Sequence, residues 1–303
     1  MVIDAHLHVW SKSHAYAKGK EPPPELGDDV ASAEALKKSM DENGIDGALI
    51  VQPINYEYDH SYVASMLKVE PERFRGMALA NPSSADGAAA AAQLRSACET
   101  APGQWVGVRF NPYLWKPAAQ EGEWMADEAG LALLETCHDL DLPIGVMAFG
   151  GLRPLVPSLV KLLEHPKTVP IVIDHWGFCR DAPGEKPSEK LGFDQTAFDT
   201  LLDLGRKYPR LYVKLSAMFR VAATDAPHED LKPRFDALLA AFGPDRLMWG
   251  SDFPFVQLQT GGQAGSLDAI RRFAKDLPKP QQAAILGGTA QKLFKFKSAT
   301  AGA

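Results

Sequence analysis

Short apolar runs alternate along the chain with stretches whose apolar positions recur at helical spacing. The runs at 2–8 (VIDAHLH), 47–52 (GALIVQ), 75–80 (RGMALA) and 105–110 (WVGVRF) read as strands. So do those at 143–148 (PIGVMA), 169–175 (VPIVIDH), 210–216 (RLYVKLS) and 246–252 (RLMWGSD). Between them, 32–43, 128–139 and 195–207 carry helical periodicity, and the alanine run at 88–92 is a strong helix former. Eight strand–helix repeats in one chain predict an α/β fold, a single (β/α)8 TIM barrel over residues 1–296. Residues 297–303 read as a disordered tail.

The connections carry the same message. Segments entering strands are short: 43–46, 101–104, 208–210 and 243–245. Segments leaving strands are long: 10–29, 111–123, 176–192 and 253–265. In a barrel, the segments leaving strands emerge on the C-terminal face, where active sites are built. A single long loop is a tolerated insertion; four on one face point to an elaborated site.

Composition narrows the class. The 303 residues are 46% hydrophobic and 23% charged, which suits a soluble domain with a full core. The net charge of −6 and the lack of a basic tract argue against nucleic acid as a partner. No stretch reads as a signal peptide or a membrane span. Cys98, Cys137 and Cys179 are far apart and lack CxxC spacing, so reduced thiols and a cytoplasmic location are expected, or an organelle stroma if a transit peptide has been removed. A homo-oligomer is compatible with the chain, though no interface signal marks one.

The candidate chemistry sits at strand ends. His6 and His8 are two apart in the first strand, so both side chains point to one face, and near the strand's end that face is the barrel mouth. A lone strand histidine is usually a packed core residue. A pair can ligate a metal or aim at one substrate oxygen. The sixth strand ends in IVIDHWG and brings His175 to the same rim; the eighth ends in MWGSDFP and brings Asp252. Strand 8 neighbours strand 1 in a closed barrel, so these groups converge.

Arg109 and Lys214 lie inside strands, where a charge must face a partner or a ligand. They are the expected anchors for a substrate carboxylate, with Gln52 and Asn81 as further polar candidates near the ends of strands 2 and 3. Arg180 and Arg220, in the loops after strands 6 and 7, read first as solvated cations. A small anionic organic substrate is the expected partner. The aromatics Trp10, Tyr56, Trp115, Trp176 and Phe253 follow strand ends and either wall a flat substrate or pack the loops. His14 and His60 are loop histidines that could reach the mouth.

DAHLHVW, VIDHWGF and WGSDFPF, in this order, resemble the strand 1, 6 and 8 signatures of the amidohydrolase superfamily, in its amidohydrolase-related branch. VRFNP and VKLSA are similar to that branch as well, and the resemblance spans residues 1–294. It implies a hydrolase that opens a lactone or related cyclic ester, as in the branch's sugar lactonases, sulfomuconolactone hydrolases and 2-pyrone-4,6-dicarboxylate hydrolases. His6 and His8 would polarise the carbonyl, either as protonated rings or through a metal. Asp252 would activate water, and His175 would orient it or stabilise the oxyanion. One departure matters: metal-dependent relatives carry a histidine at the end of strand 5, where this chain has Met147. Strand 4 ends in Arg109 and offers no lysine for a two-metal site. A mononuclear site would use His6, His8 and Asp252, with His175 or water completing it. Zinc is the favoured ion on this N/O set, and a metal-free site is equally compatible. The rival readings are a metal-dependent decarboxylase of an aromatic or muconate-type acid, and a non-catalytic ligand-binding barrel.

Overall fold

The computed structural model describes residues 1–82, 86–115, 124–179 and 192–297. Eight parallel strands run in chain order around one sheet: β1 Ile3–Leu7, β2 Gly47–Val51, β3 Phe74–Leu79, β4 Trp105–Phe110, β5 Ile144–Val146, β6 Ile171–Ile173, β7 Leu211–Leu215 and β8 Leu247–Trp249. One longer helix follows each: α1 Ala33–Asn43, α2 Ser61–Val69, α3 Gly87–Glu99, α4 Glu128–Asp139, α5 Val156–Leu163, α6 Gln195–Lys207, α7 Lys232–Phe242 and α8 Gly262–Phe273. This is the (β/α)8 barrel that the alternation predicts. Arg180 and residues 298–303 lie outside the described residues.

Local chemistry starts the helices where the periodicity does. Ser32, Asp86, Asp127 and Asp194 each accept a hydrogen bond from the backbone N–H three residues on, capping α1, α3, α4 and α6. Ile3, Ala5, Leu49, Val51, Met77, Val106, Val172 and Met248 cluster inside the barrel with Ala290 and Phe294 from the C-terminal segment. The larger apolar cluster joins the strands' outer faces to the helices. The Lys214 ammonium stands 5.8 Å over the Phe294 ring, so the polar groups of the mouth rest directly on the apolar interior.

The barrel closes differently at its seam. Seven ladders join β1 through β8. Between β8 and β1 there is only an isolated bridge, Leu7 to Phe253. Two backbone bonds flank it, from His8 N–H to Phe253 O at 2.7 Å and from Asp252 N–H to His6 O at 2.9 Å. Gly250 permits this approach, because a Cβ there would lie 2.9 Å from both the His6 backbone nitrogen and its Cβ. Gly250→Ala is therefore expected to lower stability by about 1–3 kcal/mol, the usual cost of forcing atoms into a packed site. Thermal unfolding checks this, and an unchanged Tm would contradict the close packing.

Strands β5, β6 and β8 are shorter than their apolar runs predict. The chain leaves the ladder early and turns: His175 has φ 51° and Asp252 φ 65°. Left-handed non-glycine residues cost about 1–3 kcal/mol each and persist only where their surroundings hold them. Here they swing the two side chains into the mouth.

Candidate active site

A cavity of about 330 Å³ opens at the C-terminal ends of the strands. His8, His175, Asp252, Arg109 and Arg220 supply its ionisable lining, and Met147 occupies the position after β5. Asp252 stands at the centre: its Oδ1 is 3.8 Å from His6 Nε2 and 3.7 Å from His8 Nε2. Among the described residues, His6, His175 and Asp252 form a group able to hold a metal, with ligand atoms within 4.8 Å of one another. The sequence favoured His8 in place of His175; the fold puts His175 in the closer set.

Each histidine is held from behind through Nδ1. His8 Nδ1–H donates to the Val51 carbonyl at 2.8 Å, and His175 Nδ1 meets Ser216 Oγ at 2.8 Å. His6 Nδ1 is 3.2 Å from Asp174 Oδ1 and 3.3 Å from Lys214 Nζ. We assign the proton to Nδ1, since a carboxylate can only accept. His6 Nε2 then carries a lone pair, and among the described residues that buried atom has no partner.

Burial pushes the His6 pKa down to about 3 and those of His8 and His175 well below the usual 6.5. Burial thus favours the neutral form of all three rings over the protonated imidazole that would polarise a carbonyl directly. Asp252 shifts the other way: burial raises its carboxyl to about 6, although Arg220, donating from Nε to Oδ2 at 2.8 Å, pulls it back.

Asp174 lies under the site and was not singled out in the sequence. Its carboxylate takes His6 Nδ1 and the Lys214 ammonium, each at 3.2 Å, and Arg109 Nη2 at 3.4 Å. Burial alone would raise its pKa, but Lys214, His6 and Arg109 together hold it well below 3.8. Outer partners of this kind fix ring orientation and tautomer.

The expected substrate anchors separate. Arg109 lines the cavity, and its buried Nε has no partner among the described residues. Lys214 does not line it: the side chain is fully buried and spent on Asp174, so it supports His6 and is no substrate contact. Gln52 donates to the carbonyls of Glu57 and Asp59 and fixes the loop after β2. Asn81 donates to Gln93 at 2.9 Å and lines a different cavity beside α3. The distinction was not visible in strand parity, which gives the face of a residue but not its depth. Arg220, first read as a surface cation, lies over the Phe255 ring at 4.7 Å and holds Asp252. Trp10 lines the mouth, whereas Tyr56, Trp115, Trp176 and Phe253 are buried in loop packing. Phe149, Phe178 and Phe255 are the further aromatic walls. His60 is structural, its Nε2 accepting from Leu79 N–H at 3.0 Å, and His14 packs on Tyr62.

The amidohydrolase family model matches residues 3–296. The chain belongs to the amidohydrolase family. It is 26% identical over 279 residues to a 4-sulfomuconolactone hydrolase of Rhizobium radiobacter, covering 90% of this chain and 84% of that one. Its fold is similar to that of a probable 2-pyrone-4,6-dicarboxylic acid hydrolase of Acinetobacter baumannii, with a TM-score of 0.75 at 21% identity over 97% of this chain and 99% of that one. A zinc-bound amidohydrolase of Burkholderia multivorans has a TM-score of 0.73 at 21% identity, over 98% of this chain and all of the other. As an amidohydrolase, the chain carries its strand 1, strand 6 and strand 8 groups at the expected barrel ends. No described helix is long and apolar enough to cross a membrane.

Proposed function

We propose that this amidohydrolase opens the ring of a lactone that bears a carboxylate. The observation that carries the reading is Asp252, a carboxyl with a pKa near 6, set against the Nε2 atoms of His6 and His8 at the floor of a cationic cavity. Lactone hydrolysis needs a base for water and a group that stabilises charge on the carbonyl oxygen. Ionised Asp252 takes a proton from the attacking water through Oδ1, while Arg220 holds Oδ2. As the acyl C–O bond breaks, Asp252 returns that proton to the leaving ring oxygen. Arg109 holds the substrate carboxylate, and Arg220 adds to the field that attracts it. Trp10, Met147, Phe149 and Phe255 give the cavity apolar walls around these groups.

His8 faces the cavity with a lone pair at Nε2, and His6, buried beneath it, presents another, so neither can donate to a carbonyl oxygen. The donor set fits a divalent cation: three neutral imidazoles, one carboxylate and an unpartnered Nε2. His6, His175 and Asp252 would hold it, with His8 adjacent, and zinc suits these N/O ligands best. When bound, such an ion supplies Lewis-acid polarisation of the carbonyl. Elemental analysis of the purified protein is expected to find about one divalent ion per chain, fewer in His6→Ala, with turnover lost on chelation. Full lactone turnover by chelated, metal-free protein would contradict the metal assignment. Ring opening without carbon dioxide release separates this reading from the decarboxylase. The free Cys98, Cys137 and Cys179 support a reducing, cytoplasmic setting.

A further inference from the structure

Asp4 is fully buried, carries a carboxylate and does not line the cavity. Its Oδ1 accepts from the backbone N–H of His6 at 3.2 Å and of Ser251 at 2.9 Å. Its Oδ2 accepts from Gln263 Nε2 on α8 at 2.9 Å. Gln263 in turn accepts from Ser39 Oγ on α1 at 2.6 Å. One carboxylate thus ties β1, the end of β8 and two helices together at the seam where the ladder is missing.

The placement has two consequences. In the β1–β2 register, Asp4 pairs with Ala48 and Leu7 with Ile50, so β1 holds one extra residue between them. Such a bulge re-aims the side chains that follow it. Here it sends Asp4 to the helix side and His6 into the mouth, although strict alternation would put them on one face. The second consequence concerns Asp252, whose left-handed φ of 65° needs outside support. Asp4 holds the N–H of the residue just before it.

We propose that Asp4 is a positioning residue, clamping the backbones of His6 and Ser251 to one oxygen and so setting the approach of His6 Nε2 to Asp252 Oδ1. The proposal rests on the reading that His6 and Asp252 do the chemistry. It requires an acceptor at this point in space rather than a charge. Asp4→Ala is expected to lower kcat for lactone opening by about 10–100-fold, as displacements near 1 Å do. KM should change less than about threefold, because the cavity walls and Arg109 are untouched. Asp4→Asn keeps the Oδ1 acceptor, and Gln263 can turn its amide to accept from the new NH2, so kcat should stay within about threefold of native. Gln263→Leu removes the Oδ2 partner and the acceptor of Ser39 Oγ but leaves both backbone bonds to Oδ1, and should lower Tm while leaving kcat.

A folded Asp4→Ala with native kcat, or an Asp4→Asn as slow as Asp4→Ala, overturns the proposal. Should Asp4→Ala fail to fold, Asp4→Glu decides, since it keeps the charge but moves the oxygens about one C–C bond: loss of kcat at constant KM supports positioning, and native kcat refutes it. A crystal structure of the slow variant gives a readout independent of the reaction. The native 3.8 Å separation of His6 and Asp252 with φ of Asp252 unchanged would overturn the proposal whatever the substrate. Failure of the native enzyme to open any lactone would instead count against the function alone.

Discussion

Asp252→Asn is expected to lower kcat for lactone opening by about 10²–10⁴-fold, the range that positioned acid–base groups contribute. The amide keeps the shape of the carboxyl but cannot take a proton from water. It also loses the charge that Arg220 pairs with, so a modest rise in KM is expected and the fold should survive. The native pH profile supplies an independent check. Asp252 must be ionised to act as base, and burial raises its carboxyl to about 6. Activity of the native enzyme should therefore rise with pH on an acid limb no higher than about 6, and that limb should vanish in the variant. A bound cation would favour the ionised carboxylate and move the limb to lower pH. Retained turnover in Asp252→Asn would remove the base from the mechanism.

Asp174→Ala is expected to produce the largest loss of stability among single changes at the site. It leaves the Lys214 ammonium, fully buried, and the Arg109 guanidinium, nearly so, without their shared carboxylate. Breaking a buried ion network by removing one partner costs about 3–5 kcal/mol, equivalent to a fall in Tm of roughly 10 °C for a domain of this size. Asp174→Asn keeps the volume and an Oδ1 acceptor for His6 Nδ1–H and should cost less, yet it removes the charge that Lys214 and Arg109 share and holds the ring more weakly; outer partners of metal-binding histidines typically matter by about 10–100-fold. The pH dependence has a definite sign. The native carboxyl is held below its unfolded value of 3.8, so its contribution is present above that value and is lost as pH falls toward the native pKa. Thermal unfolding of wild type and variant at neutral pH tests the claim, and equal Tm values would contradict it.

Much of this was legible in the chain. Apolar runs of period two and helical stretches between them gave the barrel, and α4 and α6 begin and end where the periodicity does. Strand-end position brought out His6, His8, His175, Asp252 and Arg109. What it missed is depth. Lys214 and Arg109 share the logic of a charge inside a strand, but Lys214 sits a layer lower and faces Asp174, not solvent. The same logic, followed one step further, leads to Asp174 in IVIDHWG, because two interior cations require an interior anion. Gln52 and Asn81 were misplaced because a polar residue after a strand can bond its own loop as readily as a ligand. Strict alternation would set Asp4 on the face of His6 and His8; the β1 bulge turns it to the helix side instead, which parity does not show.

The most direct test follows both products while the purified enzyme turns over an unsaturated, carboxylate-bearing lactone. The account predicts loss of the ring, appearance of one new carboxylate with its proton, and no carbon dioxide, at a rate that collapses in Asp252→Asn. Carbon dioxide released from the ring acid, or ring opening at the native rate in Asp252→Asn, would contradict it.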